Sequence, residues 1–228
     1  MPINDSAPQE KNMVGIAFAY AFTLCALWSG AWLLSRYLEA AAVLPGRPFD
    51  RFVYWLILRI LFWVLPSLTL IRRTGKSVRE VLGFHRVKSI LLWGGIIGLV
   101  WGGKTPVFRL LAGQPLHPIV WDWSFVTAVV YAPLVEEITY RGAILGALQT
   151  RMSLAAANLI TGILFLLIHF PGWYFQGFFA LHVTDVFSAI LGILLLGWIF
   201  GFIAHRSKSV IAATLAHMLN NFFQRFVN

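Results

Sequence analysis

The chain is poor in charge and poor in cysteine. Only 12% of its 228 residues are Asp, Glu, Lys or Arg, against about 25% in soluble domains. The shortfall lies in long apolar runs: 59% of residues are hydrophobic and the mean hydropathy is +0.75. That pattern excludes an ordinary soluble domain and describes an integral membrane protein. The single cysteine, Cys25, excludes an intrachain disulfide. It lies inside the first apolar run and reads as a small packing residue, not a nucleophile. The net charge of +9 does not point to nucleic acid. The basic residues sit in short loops between apolar runs, where they set topology.

Seven apolar segments follow one another, at residues 14–35, 52–71, 90–101, 121–149, 154–170, 178–204 and 210–227. A helix needs about 20 apolar residues to span a bilayer. The expected fold is therefore all-α, a polytopic transmembrane bundle of seven helices, or eight if a re-entrant segment is counted. No polar stretch is long enough to fold separately, so residues 13–228 are expected to form one membrane domain behind a polar tail at 1–12. The first run is too long for a signal-peptide core and is flanked by Glu10 and Lys11, as an anchor would be. The third run is Gly-rich and leads into Lys104 and Pro106. The fifth is expected to stop at Pro171-Gly172, a helix-ending pair. Most of the ten Trp residues lie near run ends, as interfacial anchors do, although Trp198 does not.

The basic residues give an orientation. Leaving out Arg59, which interrupts the second run, one side of a seven-span bundle carries eleven Lys and Arg and the other six. The richer side includes the N-terminus and the loop with Arg72, Arg73, Lys76, Arg79, Arg86 and Lys88. The positive-inside rule then puts the N-terminus in the cytoplasm.

Three runs contain polar groups that an anchor does not need. Glu136, Glu137 and Arg141 lie in the fourth, His169 ends the fifth, and the seventh holds His217 and Asn221. A carboxylate at bilayer depth costs roughly 2.5–3.5 kcal/mol, which makes it a functional-site hypothesis by default. Residues four apart share a helix face, so Glu137 faces with Arg141, Phe165 with His169, and His217 with Asn221. At about 1.5 Å per residue from the basic side, Glu136 lies about 20 Å in, His169 about 24 Å, His217 about 12–15 Å and Asn221 about 18–21 Å. These levels, on three helices, allow one shared polar centre. Plainer readings exist for each residue. Glu137 and Arg141 can be a neutralising pair, His169 a structural hydrogen-bonder, and His217 and Asn221 interhelical links worth about 0.6–2 kcal/mol. The combination argues against all of these at once. His85, His117, His182 and His205 lack such partners in the pattern and read as loop or interfacial residues.

Glu136-Glu137-x-x-x-Arg141, then Phe165-x-x-x-His169, then His217-x-x-x-Asn221 resembles the motif series of the CPBP intramembrane proteases. That group includes the CAAX-prenyl endopeptidases of the Rce1 type and the bacteriocin-processing and immunity proteins. The resemblance covers about residues 125–225, with the catalytic core expected at about 121–227. Gly197-x-x-x-Gly201 before Arg206-Ser-Lys-Ser-Val210 also fits, although the short turn lacks the glycine expected there. What the resemblance implies is an endopeptidase acting on membrane-associated protein or peptide substrates. Glu136 would activate the attacking water, and His169 would assist the water or orient Glu136. His217 and Asn221 would stabilise the oxyanion. Glu137 and Arg141 would support the helix and tune the charge from behind.

Two histidines and a glutamate also make a plausible zinc set, with His169 and His217 as ligands. The helical pair His-Glu-x-x-His is absent, however, and the resemblance favours a glutamate mechanism with no cofactor. Two other classes remain open at the level of sequence. One is a small proton-coupled transporter using Glu136, His169 and His217 as a relay, although the inverted repeats of transporters are not seen. The other is a non-catalytic scaffold or immunity protein.

Overall fold

The computed structural model describes residues 12–44 and 47–227. Most of the polar tail expected at 1–12 lies outside the described residues. Eight helices follow in order: α1 (Met13–Ala40), α2 (Pro48–Arg73), the short α3 (Val78–Leu82), α4 (Val87–Leu111), α5 (residues 123–148), α6 (Leu154–Phe175), α7 (Val183–Ser207) and α8 (Val210–Gln224). No strand occurs among the described residues. Backbone groups in lipid must be satisfied within the segment, which only a helix or a closed barrel achieves.

Five helices, α1, α2, α4, α6 and α7, are long and apolar enough to cross a membrane. The two other long segments, α5 and α8, fall short of that standard, and they carry the acids, His217 and Asn221. Their polarity matches their position. Nearly every residue of α5 from Ala132 to Leu148 is buried, so the bundle shields α5 from lipid. Large apolar side chains such as Leu33, Leu91, Val100 and Phe187 face outward from the surrounding helices.

The polar start of each site helix is capped. Asp122, Ser153 and Ser209 accept from the amides of Phe125, Ala156 and Ala212, opening α5, α6 and α8. α1 buries Ala17, Ala21, Leu24, Trp28, Ala31 and Ser35, one stripe at helical spacing. Trp28 and Trp63 are buried in this contact and, with Trp32 and Trp55, pack α1 on α2. Trp28 and Trp63 are core residues, and Trp32 and Trp55 are half-buried against the core.

Proline shapes α2 without ending it. Pro66 has no amide to offer the Phe62 carbonyl, and the backbone opens into a wide π-type turn at Ile60–Val64. The Tyr20 hydroxyl reaches in from α1, 3.3 Å from the Phe62 carbonyl and 2.8 Å from that of Trp63. It also lies 3.0 Å from Ser67 Oγ, which is 3.0 Å from Thr139 on α5. The chain Tyr20–Ser67–Thr139 thus ties three helices together where proline freed a carbonyl.

Glycine sets the position of α8. Gly94, Gly98 and Gly102 of α4 lie against Ala212, Ala216 and Asn220 of α8. A Cβ on Gly98 would come within 2.8 Å of Ala216 Cα, and one on Gly102 within 2.9 Å of Asn220 Cα. This small-residue seam lets the two backbones touch. Pro106 lies inside α4, which continues to Leu111.

The expected stop at Pro171-Gly172 is wrong. The regular turns of α6 break earlier, at Ile168, and resume at His169. Pro171 then falls in a first turn, where an amide hydrogen bond is not required, so the ring is tolerated. The helix ends instead at Gln176-Gly177, with Gly177 in the left-handed region at φ 73°, where a glycine commonly closes a helix. His169 is therefore placed at the break itself.

Candidate active site

The two acids stand between two wide-turned stretches of α5, Val126–Tyr131 and Ile138–Ile144. Pro133 follows the first stretch and has no amide for the carbonyl a turn earlier. Such turns rotate the faces of a helix and recur at functional sites. Here both glutamates are turned toward α8.

Glu137 is wholly buried. Its Oε1 accepts from Arg141 Nη1 at 3.0 Å and from His217 Nδ1 at 2.9 Å. Arg141 Nη2 donates to the Gly197 carbonyl of α7 at 2.7 Å. The charge pair is thus fastened to three helices, while Glu137 Oε2 has no hydrogen-bond partner among the described residues. Glu136 keeps some access, with a side chain 13% exposed, and its Oε2 lies 4.0 Å from His217 Nε2. The imidazole of His217 is therefore bracketed by two carboxylates, in contact with one and facing the other. Phe200 stacks on the ring at 4.6 Å, and Phe165 meets it edge-on at 6.1 Å.

Phe165 joins the second histidine to this centre. Its ring lies 4.9 Å from that of His169, 5.2 Å from that of Tyr140, and beneath the Arg141 guanidinium at 4.4 Å. Its carbonyl is 2.7 Å from His169 Nδ1. A carbonyl only accepts, so Nδ1 carries the proton and a neutral His169 has its lone pair on Nε2. His169 interacts electrostatically with Glu136, His217 and Arg141. Asn221 donates from Nδ2 to the Ala128 carbonyl at 2.8 Å, and its Oδ1 accepts from Asn220 at 3.1 Å. Ala128 lies in the first wide-turned stretch, so this amide fastens α8 to α5 on the approach to Glu136.

The structure therefore links Glu137, Arg141 and His217 through hydrogen bonds, sets Glu136 4.0 Å from His217, and brings His169 alongside through Phe165. No hydrogen bond joins His169 or Asn221 to either glutamate among the described residues. Of the set-aside histidines, His205 lies 3.3 Å from Gln149 and His117 lies 3.4 Å from Arg109, both away from this centre.

Two relationships escaped the sequence. The Glu137–His217 hydrogen bond spans helices with no shared spacing, and no local pattern announces it. Arg59 had a signal, since it interrupts an apolar run. Its guanidinium lies over the rings of Trp28 and Tyr131, its Nε and Nη1 are buried without partners, and it interacts electrostatically with Glu136.

For metal, the free donors of the two histidines are their Nε2 atoms. No three His, Cys, Asp or Glu side chains are grouped to hold an ion among the described residues.

An all-helical membrane bundle enclosing an acid–imidazole–guanidinium centre is the class this fold and site define. Residues 118–223 match the family model described as type II CAAX prenyl endopeptidase Rce1-like, and this match supports a CPBP/Rce1-type family assignment. The match includes every residue of the centre except Arg59. No curated protein matches the chain.

Proposed function

We propose that the protein is an intramembrane endopeptidase in which Glu136 activates water and no metal takes part. The observation that carries this reading is the bracketing of His217, 2.9 Å from Glu137 and 4.0 Å from Glu136. It gives the adjacent acids different tasks. Glu137 is consumed by Arg141 and His217 and has no access to a reactant. Glu136 is the acid left accessible.

Glu136 takes a proton from the water as its oxygen attacks the scissile carbonyl carbon. His169 Nε2 accepts the water's other hydrogen and orients it. The carbonyl oxygen becomes an oxyanion, which Asn221 and His217 stabilise. His217 can donate from Nε2 only when its ring carries both protons, since Nδ1–H is directed at Glu137. When the C–N bond breaks, the departing amine receives the proton held by Glu136. Positioned general bases contribute about 10²–10⁴ in rate, and an oxyanion donor about 10²–10³. Glu137 and Arg141 hold His217 and α7 in register.

The catalytic core is residues 121–227 of a single membrane domain, 13–228. The substrate is a membrane-associated protein or peptide. The N-terminus lies in the cytoplasm and the membrane is the inner membrane of a prokaryote. Arg141 is buried and paired, so ten basic residues against six support that orientation.

The test is cleavage by the purified protein in liposomes. A panel of peptides, some farnesylated at a C-terminal C-a-a-X sequence and others with unmodified apolar leaders, is incubated and read by mass spectrometry. A protease yields discrete fragments from at least one class. Absence of any product above a protein-free control favours the scaffold reading.

A further inference from the structure

A cavity of about 440 Å³ opens at the basic end of the bundle, between α3 and the adjoining ends of α5, α7 and α8. Neither Glu136 nor His169, His217 or Asn221 lines it. Lys76, Arg86 and Lys208 do, from three separate segments, together with His205, Gln149 and the acid Glu80. Glu80 forms no ion pair with any of these cations. Arg141 also lines the cavity, with its charge already committed to Glu137. Among the described residues the site thus has three cations outside any ion pair against one carboxylate.

Two further observations mark it as built. The Nε atoms of Arg86 and Arg141 are both buried with no hydrogen-bond partner among the described residues. Lys208, moreover, occupies the left-handed region at φ 53°, in the very turn where the sequence lacks an expected glycine. A glycine would take that conformation freely, whereas a lysine is strained there. The walls are fixed as well. Ser209 Oγ donates to the Leu82 carbonyl at 2.9 Å, and a Cβ on Gly83 would come within 2.8 Å of the Lys208 carbonyl oxygen. The loop carrying Lys76 and Arg86 is therefore latched onto the turn that carries Lys208.

We propose that this cavity binds the phosphate of an anionic lipid headgroup. It lies at the level where α7, a helix long and apolar enough to cross the membrane, ends, which is headgroup level for such a helix. Basic pockets between membrane helices on the cytoplasmic side attract anionic headgroups, each nearby Lys or Arg adding about fivefold. The Arg86 guanidinium and the ammonium groups of Lys76 and Lys208, all lining the cavity, supply the donors and positive charge that a phosphate needs.

The test uses the full chain in nanodiscs of equal phosphatidylglycerol and phosphatidylcholine, with lipids retained after release read by native mass spectrometry. Wild type is expected to retain phosphatidylglycerol preferentially. Arg86→Gln and Lys208→Gly should each reduce that preference by about fivefold. Lys208→Gly relieves the backbone, so loss of retention there is not loss of fold. Lys104→Gln, toward the other end of α4, should leave the preference intact. Equal retention of both lipids by wild type, or unchanged preference in both variants, overturns the proposal. Displacement of all retained lipid by excess inorganic phosphate also overturns it, because the site would then be one for soluble phosphate.

Discussion

His217 Nδ1 donates to Glu137 Oε1 at 2.9 Å, joining residues 80 apart in the chain. Arg141 shares the same oxygen. The carboxylate therefore neutralises one buried charge and orients one imidazole at once. Removing one partner of a buried pair typically costs about 3–5 kcal/mol, because the other charge is left uncompensated. Glu137→Ala should lower the thermal midpoint in detergent sharply. Glu137→Leu combined with Arg141→Met should recover part of that loss. A double variant no more stable than Glu137→Ala would mean that the pair is not the source of the effect.

The seam between α4 and α8 makes a second prediction, about packing. Gly98→Ala places a methyl group against the α8 backbone, and overpacking of this kind costs about 1–3 kcal/mol. It should lower both stability and turnover, since α8 carries His217. Gly95 lies one face away, and a Cβ there would meet only Leu215 Cδ2 at 3.9 Å. Gly95→Ala should match wild type in both measurements. Equal behaviour of the two variants would show that the seam does not position α8.

The Tyr20 clasp predicts a third outcome. Tyr20→Phe deletes the hydroxyl that serves the Phe62 and Trp63 carbonyls and leaves Ser67 with one partner fewer. Unsatisfied buried groups cost about 1–3 kcal/mol. Thermal unfolding should show that loss, and a shift within error would place water at the freed carbonyls instead.

Much of this was legible in the sequence, for physical reasons that particular residues make plain. Lipid-facing helices announce themselves by length and hydropathy, so α1, α2, α4, α6 and α7 appear as runs. The motif residues appear because a polar group in such a run is conspicuous. What stayed hidden depends on neighbours. Pro171 reads as a stop, yet it is harmless once Ile168 has already broken the regular turns. Tyr20 looks like one more aromatic in an apolar helix until Pro66, 46 residues later, frees a carbonyl beside it. Arg59 was visible, but only the bundle shows that it lies near Glu136.

The proposed metal-free mechanism gives a fourth prediction. Dialysis of the purified protein against a strong chelator should leave cleavage unchanged. Loss of activity on chelation, with recovery on adding zinc, would reassign His169 and His217 as ligands through Nε2 and leave one glutamate as base.

The proposed mechanism makes Glu136 the base, with His217 and Asn221 serving the oxyanion. Single-turnover cleavage of one peptide by Glu136→Gln, at membrane levels equal to wild type, tests it most directly. Glu136→Gln keeps the shape and removes the base, so the rate should fall by about 10²–10⁴. Asn221→Ala should fall by about 10²–10³, while His85→Ala and His182→Ala stay near wild type. Wild-type rates from Glu136→Gln would contradict the account, and a dead Glu137→Gln beside an active Glu136→Gln would show that the roles of the two acids are reversed.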